Sequence, residues 1–243
     1  MSIDSGMIKI KVPCSSANLG PGFDTLGLAL SLYLELQIRV VSASSSNAPL
    51  NCEITCEGLG AESIRRRPDE NLITQVALYV LRCHGKHAFT EMTKVHINNK
   101  IPLSRGLGSS AAAVVAGVML ANEVERLGMT HKRCLDFCLM VERHPDNITA
   151  ALYGGFICAC LSELDPDDLA RIEIPLAEVL PEPAGGVDTG IMPPIPPLGI
   201  GQFQAMRLSP SIKAVVVIPN FKVDTAKARE VLPDTYSRRD TVR

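Results

Sequence analysis

Alternating apolar and polar positions predict several short β-strands along the chain. Ile8, Ile10 and Val12 alternate with lysines, and Leu34 begins a longer alternation that continues to residue 40. A period of two places one side of a strand against a core and the other toward solvent. Similar patterns predict strands at residues 52–56 and 94–98, and continuous apolar runs predict buried strands at residues 155–161 and 213–218.

Apolar residues at helical spacing predict three helices. The first covers residues 72–81, and Gly85 is placed to end it. The second follows a pair of serines at residues 109–110, runs to about Leu127 and stops at Gly128. Thr130 can cap the third, which must end by residues 142–144 because a proline follows.

Residues 181–201 interrupt this order with six prolines and five glycines. Such a density excludes a regular helix or a central strand, so the sequence predicts an irregular linker or insertion. On either side, strands and helices are interleaved without a strict β-α-β rhythm. The fold class predicted from these patterns is therefore α+β.

Composition narrows the function classes only slightly. The chain has 243 residues, 46% of them hydrophobic, and a net charge of −2, which favours neither a nucleic-acid surface nor a membrane surface. No apolar secretory segment opens the sequence, so we expect a cytoplasmic protein. Its eight cysteines match no complete zinc pattern, and we expect reduced thiols packed in the core.

A glycine-rich segment leads directly into the second predicted helix. It reads IPLSRGLGSSAA from Ile101 to Ala112. A helix N-terminus presents unpaired N–H groups and a partial positive charge, and glycine lets backbone approach an anion closely. The pattern thus predicts a phosphate-binding loop, with Ser109 and Ser110 adding hydroxyl groups beside the phosphate or a Mg²⁺ ion.

Two common nucleotide motifs fit this loop poorly. A Walker loop is excluded because no lysine precedes the helix. A dinucleotide-binding fingerprint matches formally at Gly106, Gly108 and Ala111, but the segment upstream is a poor strand. The acidic residue that such a motif needs about 20 positions later, Glu125, falls within the same helix.

A second glycine-rich turn near the N-terminus carries polar side chains. Asn18 and Asp24 flank the sequence LGPGF, and together they supply an amide and a carboxylate. These groups can grip the ammonium of an amino acid and orient its hydroxyl group. The alternative is a turn in which the two side chains bond only to local backbone, because Asn and Asp favour turns.

Four segments together resemble the homoserine kinases of the GHMP kinase superfamily. The first is VPCSSANLGPGFDTLG, beginning at Val12, and the second is the PLSRGLGSSAA segment beginning at Pro102. The third is ERHPDN, beginning at Glu142 and followed by AALYGGF, and the fourth is TAKAREVLP, beginning at Thr225. The resemblance covers nearly the whole chain and is strongest to fungal-type enzymes.

The resemblance implies a two-domain architecture. Residues 1–155 would form an ATP-binding domain like that of ribosomal protein S5, with a mixed sheet. Residues 156–243 would form an incomplete ferredoxin-like domain containing the Pro/Gly-rich loop at 181–201. The glycine-rich third motif of the family is not found, so we expect a chain that lacks the C-terminal part of that fold and is unstable or inactive.

The resemblance also assigns roles to individual residues. Asn147 stands where related kinases carry a catalytic Asp, so no general base is provided there, and Arg229 would clamp the amino-acid carboxylate. The implied substrate-binding residues are Asn18, Asp24, Asn147, Thr225 and Arg229. The implied ATP-binding residues are Pro102, Leu103, Ser104, Arg105, Gly106, Leu107, Gly108, Ser109, Ser110, Ala111 and Ala112. Ser110 and Glu142 would ligate Mg²⁺, with Asp136 as the alternative carboxylate.

The function implied is ATP-dependent phosphorylation of the L-homoserine hydroxyl, a step of threonine biosynthesis, with ATP and Mg²⁺ as cofactors. The expected partner is a small molecule, without nucleic acid or membrane, and a homodimer is left open. Three alternatives stay open: a nucleotide-binding homologue without turnover, another GHMP small-molecule kinase, and an NAD-linked oxidoreductase.

Overall fold

The computed structural model describes residues 6–41, 48–171, 192–209, 211–218, 220–221 and 235. Within these residues, six strands, five α-helices and one short 3-10 helix (Pro49–Asn51) alternate irregularly along the chain. The strands are β1 (Ile8–Ala17), β2 (Leu26–Val41), β3 (Cys52–Gly58), β4 (Met92–Asn99), β5 (Phe156–Leu161) and β6 (Gly201–Met206). The helices are α1 (Leu72–Cys83), α2 (Ser109–Val124), α3 (His131–Val141), α4 (Pro145–Tyr153) and α5 (Pro166–Ala170).

All six strands form one mixed sheet organised around the long strand β2. Leu34 of β2 pairs with Val12 of β1 and with Asn99 of β4, so β1 and β4 lie on opposite edges of β2. The start of β2 pairs antiparallel with β5, which in turn pairs with β6. Only β3 and β4 are parallel neighbours among the described strands. This mixed sheet with helices confirms the predicted α+β class.

Helices cover one face of the sheet. Alternate residues of β2, among them Leu36 and Ile38, are fully buried beneath them. Helix α2 is apolar on nearly every side and lies against both β1 and α1. At Gly117 the two helices approach so closely that a Cβ atom would lie 2.4 Å from the carbonyl oxygen of Ile73. The core therefore lies between the sheet and its helices and continues between α1 and α2.

The opposite face of the sheet is polar and carries cross-strand ion pairs. Lys94 lies 3.1 Å from Glu53, Lys11 lies 3.4 Å from Glu35, and His96 lies 3.4 Å from Glu57. These are neighbours on adjacent strands, where opposite charges support pairing modestly. The alternation predicted from sequence for β1, β2 and β3 is explained by this two-sided environment.

Most predicted elements are confirmed, but several differ, and helices α4 and α5 were not predicted. Helix α2 ends at Val124, before Leu127, because Arg126 takes a positive φ of 50° that breaks the helix. Residues 213–218 were predicted as a buried strand, but they form no strand and are exposed, because no described strand pairs with them. Strand β6 was not predicted, and its first residue, Gly201, falls in the segment predicted to be irregular.

The cysteines agree only in part with the expectation of thiols packed in the core, because Cys160 is exposed and Cys56, Cys83 and Cys158 are only partly buried. All eight cysteines are free thiols, and Cys14, Cys52, Cys134 and Cys138 are buried. Burial raises the pKa of Cys52 to about 12, so this thiol is unreactive at neutral pH. No group of three or more potential metal-binding His, Cys, Asp or Glu side chains occurs in the described part of the chain. None of the helices described there is long and apolar enough to cross a bilayer.

Candidate functional site

The glycine loop ends at the N-terminus of α2, as the sequence predicted. Gly108 is the N-cap residue and has a left-handed φ of 59°, and no side chain caps the first turn. No acidic residue lies in that turn either. The N–H groups that begin the helix, together with its dipole, therefore offer donors and partial positive charge that suit an anion.

The paired serines border a cavity of about 300 Å³. Ser109 and Ser110 are only partly buried and line it at the start of α2. Apolar side chains of the core strands and of α1, including Leu72 and Ile97, form another part of the lining. A cavity with an apolar wall and an anion site at its edge has the character expected for a nucleotide base and its phosphates.

The cavity wall is shaped by Asn71, the N-cap residue of α1. Its side-chain oxygen accepts from the N–H of Ile73 at 3.0 Å, and its amide donates to the carbonyl of Arg65 at 2.7 Å. These bonds fix the preceding loop, residues 64–71, against the helix start. Sequence reasoning missed this wall, although an Asn directly before an apolar helical pattern is a usual sign of a helix start.

Asn147 lies beside the glycine loop although the two are far apart in sequence. The hydroxyl of Ser15 donates to Asn147 Oδ1 at 2.9 Å, and the N–H of Ser15 donates to the carbonyl of Leu107 at 3.2 Å. A Cβ atom on Gly108 would lie 2.2 Å from Ser15 Oγ and 3.0 Å from Asn147 Oδ1. Three of the sequence motifs therefore meet at one point.

The N-terminal turn is closed by its own side chain. Asn18 Oδ1 accepts from the N–H of Asp24 at 2.8 Å, and both residues have positive φ angles. The Asn18 oxygen therefore bonds to local backbone, as in the alternative interpretation of this turn given under the sequence analysis. The carboxylate of Asp24 is partly buried and lies close enough to Asp146 to affect its ionisation.

Buried acidic groups lie on the segment that leads into α4. Glu142 and Asp146 are 3% and 0% exposed, and each has one carboxylate oxygen without a hydrogen-bond partner among the described residues. Burial raises the pKa of Asp146, and the negative charges of Asp24 and Glu142 add to this rise. His144, whose Nδ1 lies 3.8 Å from Glu142 Oε1, acts in the opposite direction and lowers the pKa of Asp146. Unsatisfied buried oxygens of this kind suit a cation or a cationic ligand.

Comparison with known proteins gives the family. The family model for the N-terminal domain of GHMP kinases matches residues 71–155. Homoserine kinase from Saccharomyces cerevisiae is 54% identical over 96% of this chain and 67% of its own length. The chain belongs to the homoserine kinase family.

Further relatives of the homoserine kinase family agree in sequence and in fold. The homoserine kinase of Candida albicans is 46% identical over 96% of this chain and 66% of its own length. The crystal structure of homoserine kinase from Cytophaga hutchinsonii is 25% identical, with a TM-score of 0.68 over 100% of this chain and 64% of that one. The chain thus spans about two thirds of the length of these homoserine kinases. The family consists of ATP-using small-molecule kinases with the α+β fold seen here.

In this member of the homoserine kinase family, Asp136 has a structural role, and its carboxylate is not available to ligate a metal ion. Its two oxygens accept from the N–H groups of Gly199 and Ile200 at 3.1 and 3.0 Å, and Arg133 donates to it at 2.9 Å. Asp136 therefore ties residues 199–200 to α3. This leaves Glu142, with its unpaired oxygen, as the better carboxylate for Mg²⁺.

Glu125 is likewise engaged within the fold. It accepts from the N–H and the hydroxyl of Thr90, both at 2.7 Å, and from Lys86 at 2.5 Å. These bonds occupy the carboxylate that a dinucleotide-binding protein would turn toward a ribose. The oxidoreductase alternative thus loses its acidic residue. Thr225 and Arg229, predicted to bind substrate, lie outside the described residues.

Proposed function

We propose that this chain carries the phosphoryl-transfer site of a homoserine kinase, which moves the γ-phosphoryl group of ATP to the side-chain hydroxyl of L-homoserine. The observation that carries the proposal is the meeting of Gly108, Ser15 and Asn147 at the N-terminus of α2. The proposal is supported by the closeness of this glycine loop to an amide that can bond to an acceptor hydroxyl. Sequence identity of 54% and 46% to two fungal homoserine kinases supports homoserine as the acceptor.

The nucleotide would lie along the glycine loop and in the adjacent cavity. Its phosphates would accept from the N–H groups that begin α2, where residues 102–112 surround them, and its base would occupy the apolar part of the cavity lined by Leu72 and Ile97. The hydroxyl groups of Ser109 and Ser110 add donors at the same end. Binding there positions the γ-phosphoryl group over the interior of the site.

Ser110 and Glu142 would hold Mg²⁺. Both donate oxygen, as this hard cation requires, and Glu142 offers an oxygen that nothing else in the described structure uses. When bound, Mg²⁺ neutralises charge on the phosphates.

The acceptor would be held by the acidic side of the site. Its ammonium group would lie near Asp24, where the neighbouring Asp146 and Glu142 make the site more negative. Arg229 and Thr225 are proposed to bind the carboxylate end. Asn147 would donate to the hydroxyl oxygen and orient it toward phosphorus.

The chemical step needs positioning more than a base. The hydroxyl oxygen forms a bond to the γ-phosphorus while the bond from phosphorus to the bridging oxygen of ADP breaks. The hydroxyl proton passes to a phosphoryl oxygen or to solvent, because an Asn amide cannot accept it. Rate enhancement then comes from alignment of the reactants and from the fixed N–H groups of α2.

A coupled assay of ADP release tests the proposal, with homoserine, mevalonate and galactose compared as acceptors. We expect turnover with homoserine at least about a hundredfold faster than with the others, because only homoserine carries an ammonium group for Asp24. ATP binding is measured separately by calorimetry. Binding without phosphohomoserine formation would favour the nucleotide-binding homologue without turnover, and equal turnover of all acceptors would refute the choice of substrate.

A pair of variants tests the metal ligand. Glu142→Gln should raise the Mg²⁺ concentration required for half-maximal activity by about tenfold or more, because a neutral amide is a poor ligand for this cation. Asp136→Asn is the matched carboxylate control, and its folded fraction should keep the original Mg²⁺ requirement. The opposite pattern would assign the metal to Asp136.

A further inference from the structure

Ser15 connects three parts of the site and yet lies beneath its surface. The residue is 0% exposed, in strand β1. Its backbone bonds to the glycine loop at Leu107, and its hydroxyl bonds to Asn147. The position of a Cβ on Gly108, 2.2 Å from Ser15 Oγ, shows that the loop backbone rests directly on this hydroxyl.

The two neighbours of the Asn147 side chain determine which way its amide points. Asp146 Oδ1 lies 3.5 Å from Asn147 Nδ2 and accepts from the backbone N–H of Asn147 at 2.7 Å. Because Asp146 Oδ1 already accepts from that backbone N–H, it is an acceptor on this side, so the NH₂ group lies toward Asp146 and the oxygen faces Ser15. The hydroxyl of Ser15 therefore donates to that oxygen, and one N–H of the amide is left for a ligand.

We propose that Ser15 is a positioning residue for phosphoryl transfer, which holds the amide of Asn147 with its NH₂ group toward the acceptor and fixes that amide relative to the glycine loop. This inference rests on the proposed kinase function. Asn147 is only partly buried, so without Ser15 its side chain could rotate. The acceptor hydroxyl and the phosphate loop would then lose their common support.

Ser15→Ala is the direct test. We expect kcat for homoserine to fall about ten- to hundredfold, because a small misplacement of a reacting group has effects of this size. The affinity for ATP should change by less than about threefold, a small fraction of the binding free energy, because the N–H groups of α2 remain. A fall in ATP affinity as large as the fall in kcat would overturn the proposal.

A double-mutant comparison separates positioning from general destabilisation. If Ser15 acts through Asn147, the Ser15→Ala change should add little to kcat loss in an Asn147→Ala background. Independent effects would multiply, and that result would contradict the inference. Thr93→Val is the control for losing a buried hydroxyl elsewhere, since Thr93 is 0% exposed and bonds to Glu91. This variant should lose stability but keep kcat.

A measurement without turnover distinguishes failure of this inference from failure of the proposed function. The side-chain NH₂ signals of Asn147, identified by their loss in Asn147→Ala, can be followed by ¹⁵N NMR in the full chain. In Ser15→Ala we expect these signals to move toward the positions of a freely rotating amide. Unchanged signals would disprove the positioning role whether or not the chain phosphorylates homoserine.

Discussion

Gly108 has no room for a side chain because Ser15 and Asn147 lie directly against its backbone. Gly108→Ala would place a methyl group where Ser15 Oγ already is, at 2.2 Å. We expect kcat/KM for ATP to fall at least about a hundredfold, because the loop must move away from the start of α2 and the anion site is lost. Steady-state kinetics with varied ATP measure this directly.

Gly106→Ala is the matched control for that change. Gly106 also has a positive φ, 72°, but a Cβ there would meet no atom within 4 Å. Both substitutions carry the left-handed backbone penalty of about 1–2 kcal/mol, and only Gly108→Ala adds the steric overlap. Equal kinetic losses in the two variants would show that backbone strain, rather than the contact with Ser15, controls the loop.

The buried carboxylate of Asp146 should make stability depend on pH. Burial and the charges of Asp24 and Glu142 raise its pKa above the ordinary 3.8 in the folded protein. A raised pKa means that the folded state gains relative stability below 3.8 and loses it as pH rises through the folded value. Asp146→Asn keeps an acceptor for the Asn147 N–H and removes the charge. The free energy of unfolding of this variant should therefore increase relative to that of the wild type as pH rises.

Urea unfolding at several pH values between 4 and 8 measures this difference, with the free energy of unfolding compared at each pH. The gain of Asp146→Asn should grow over the lower part of that range and then level off. A difference that is constant with pH would mean that Asp146 has the same pKa in the folded and unfolded chains.

At the residue scale, the sequence predicted site residues that belong to recognisable motifs, but it did not predict contacts that arise only from packing in the fold. The glycine loop was found from its residue types, and Asn147 was found from the resemblance of its segment to homoserine kinases. Ser15 was not singled out, since a serine in a strand gives no sign that its hydroxyl will meet an amide 132 residues away. Asp136 and Glu142 could not be separated from sequence, because only the fold shows that residues 199–200 occupy Asp136.

At the scale of elements, the start and end of α2 serve different purposes. Its start is uncapped and faces the cavity, whereas its end is tied to the turn between α1 and β4 through Glu125. The side chain of Glu125 is only 4% exposed, and burial alone would raise its pKa. Hydrogen bonds from Lys86 and Thr90 outweigh this, so the pKa of Glu125 lies below its ordinary value of 4.5.

Glu125→Gln should therefore destabilise the protein by about 2 kcal/mol, the usual size for a buried hydrogen-bonded charge. The contribution of the wild-type carboxylate is present above pH 4.5 and is lost as pH falls through its lower folded value, so the difference should shrink in acid. Denaturant unfolding checks both points. Glu53→Gln removes an exposed ion pair with Lys94 and should change stability by less than about 0.5 kcal/mol. Equal losses of unfolding free energy in the two variants would contradict a stabilising role for the bonds of Glu125 to Lys86 and Thr90.

Strand β6 and residues 213–218 were misjudged from sequence because strand formation depends on distant partners. Strand β6 begins with glycine after a proline-rich segment, and it forms because β5 offers an open edge. Residues 213–218 have a stronger strand pattern, but no described strand pairs with them, and they are exposed without forming a strand. Local pattern therefore indicates that a segment can form a strand, and only the sheet decides whether it does.

At the scale of the whole molecule, polar and apolar surfaces are separated. One face of the sheet carries ion pairs, whereas residues 215–218 present an apolar run in which Val215 is 90% and Val217 is 86% exposed. Exposed apolar segments of high strand propensity readily pair with one another. We expect concentration-dependent self-association of the 243-residue chain through this run.

Sedimentation velocity of the double variant Val215→Lys/Val217→Lys tests this expectation, because two added charges should suppress the association. Leu198→Lys, at an apolar position that is 82% exposed but isolated from the run, is the control and should leave it unchanged. Association that persists in the double variant would place the contact elsewhere. The division into domains at residue 155 and the formation of a homodimer both stay predictions. Strand β5, which follows residue 155, joins the same sheet as β2.

The central position of β2 has a consequence for synthesis on the ribosome. Strands β1 and β2 emerge one after the other and can pair at once, but β4 follows about fifty residues later, or about 3–10 s at the usual rate of translation. During that interval one edge of β2 has no neighbour, and Leu34, Leu36 and Ile38 still lack the helices that bury them in the folded protein. The nascent chain thus presents a defined binding segment, Leu26–Val41, to chaperones that hold extended apolar sequences. Its yield in the cell should depend on how quickly the ribosome delivers Met92–Asn99.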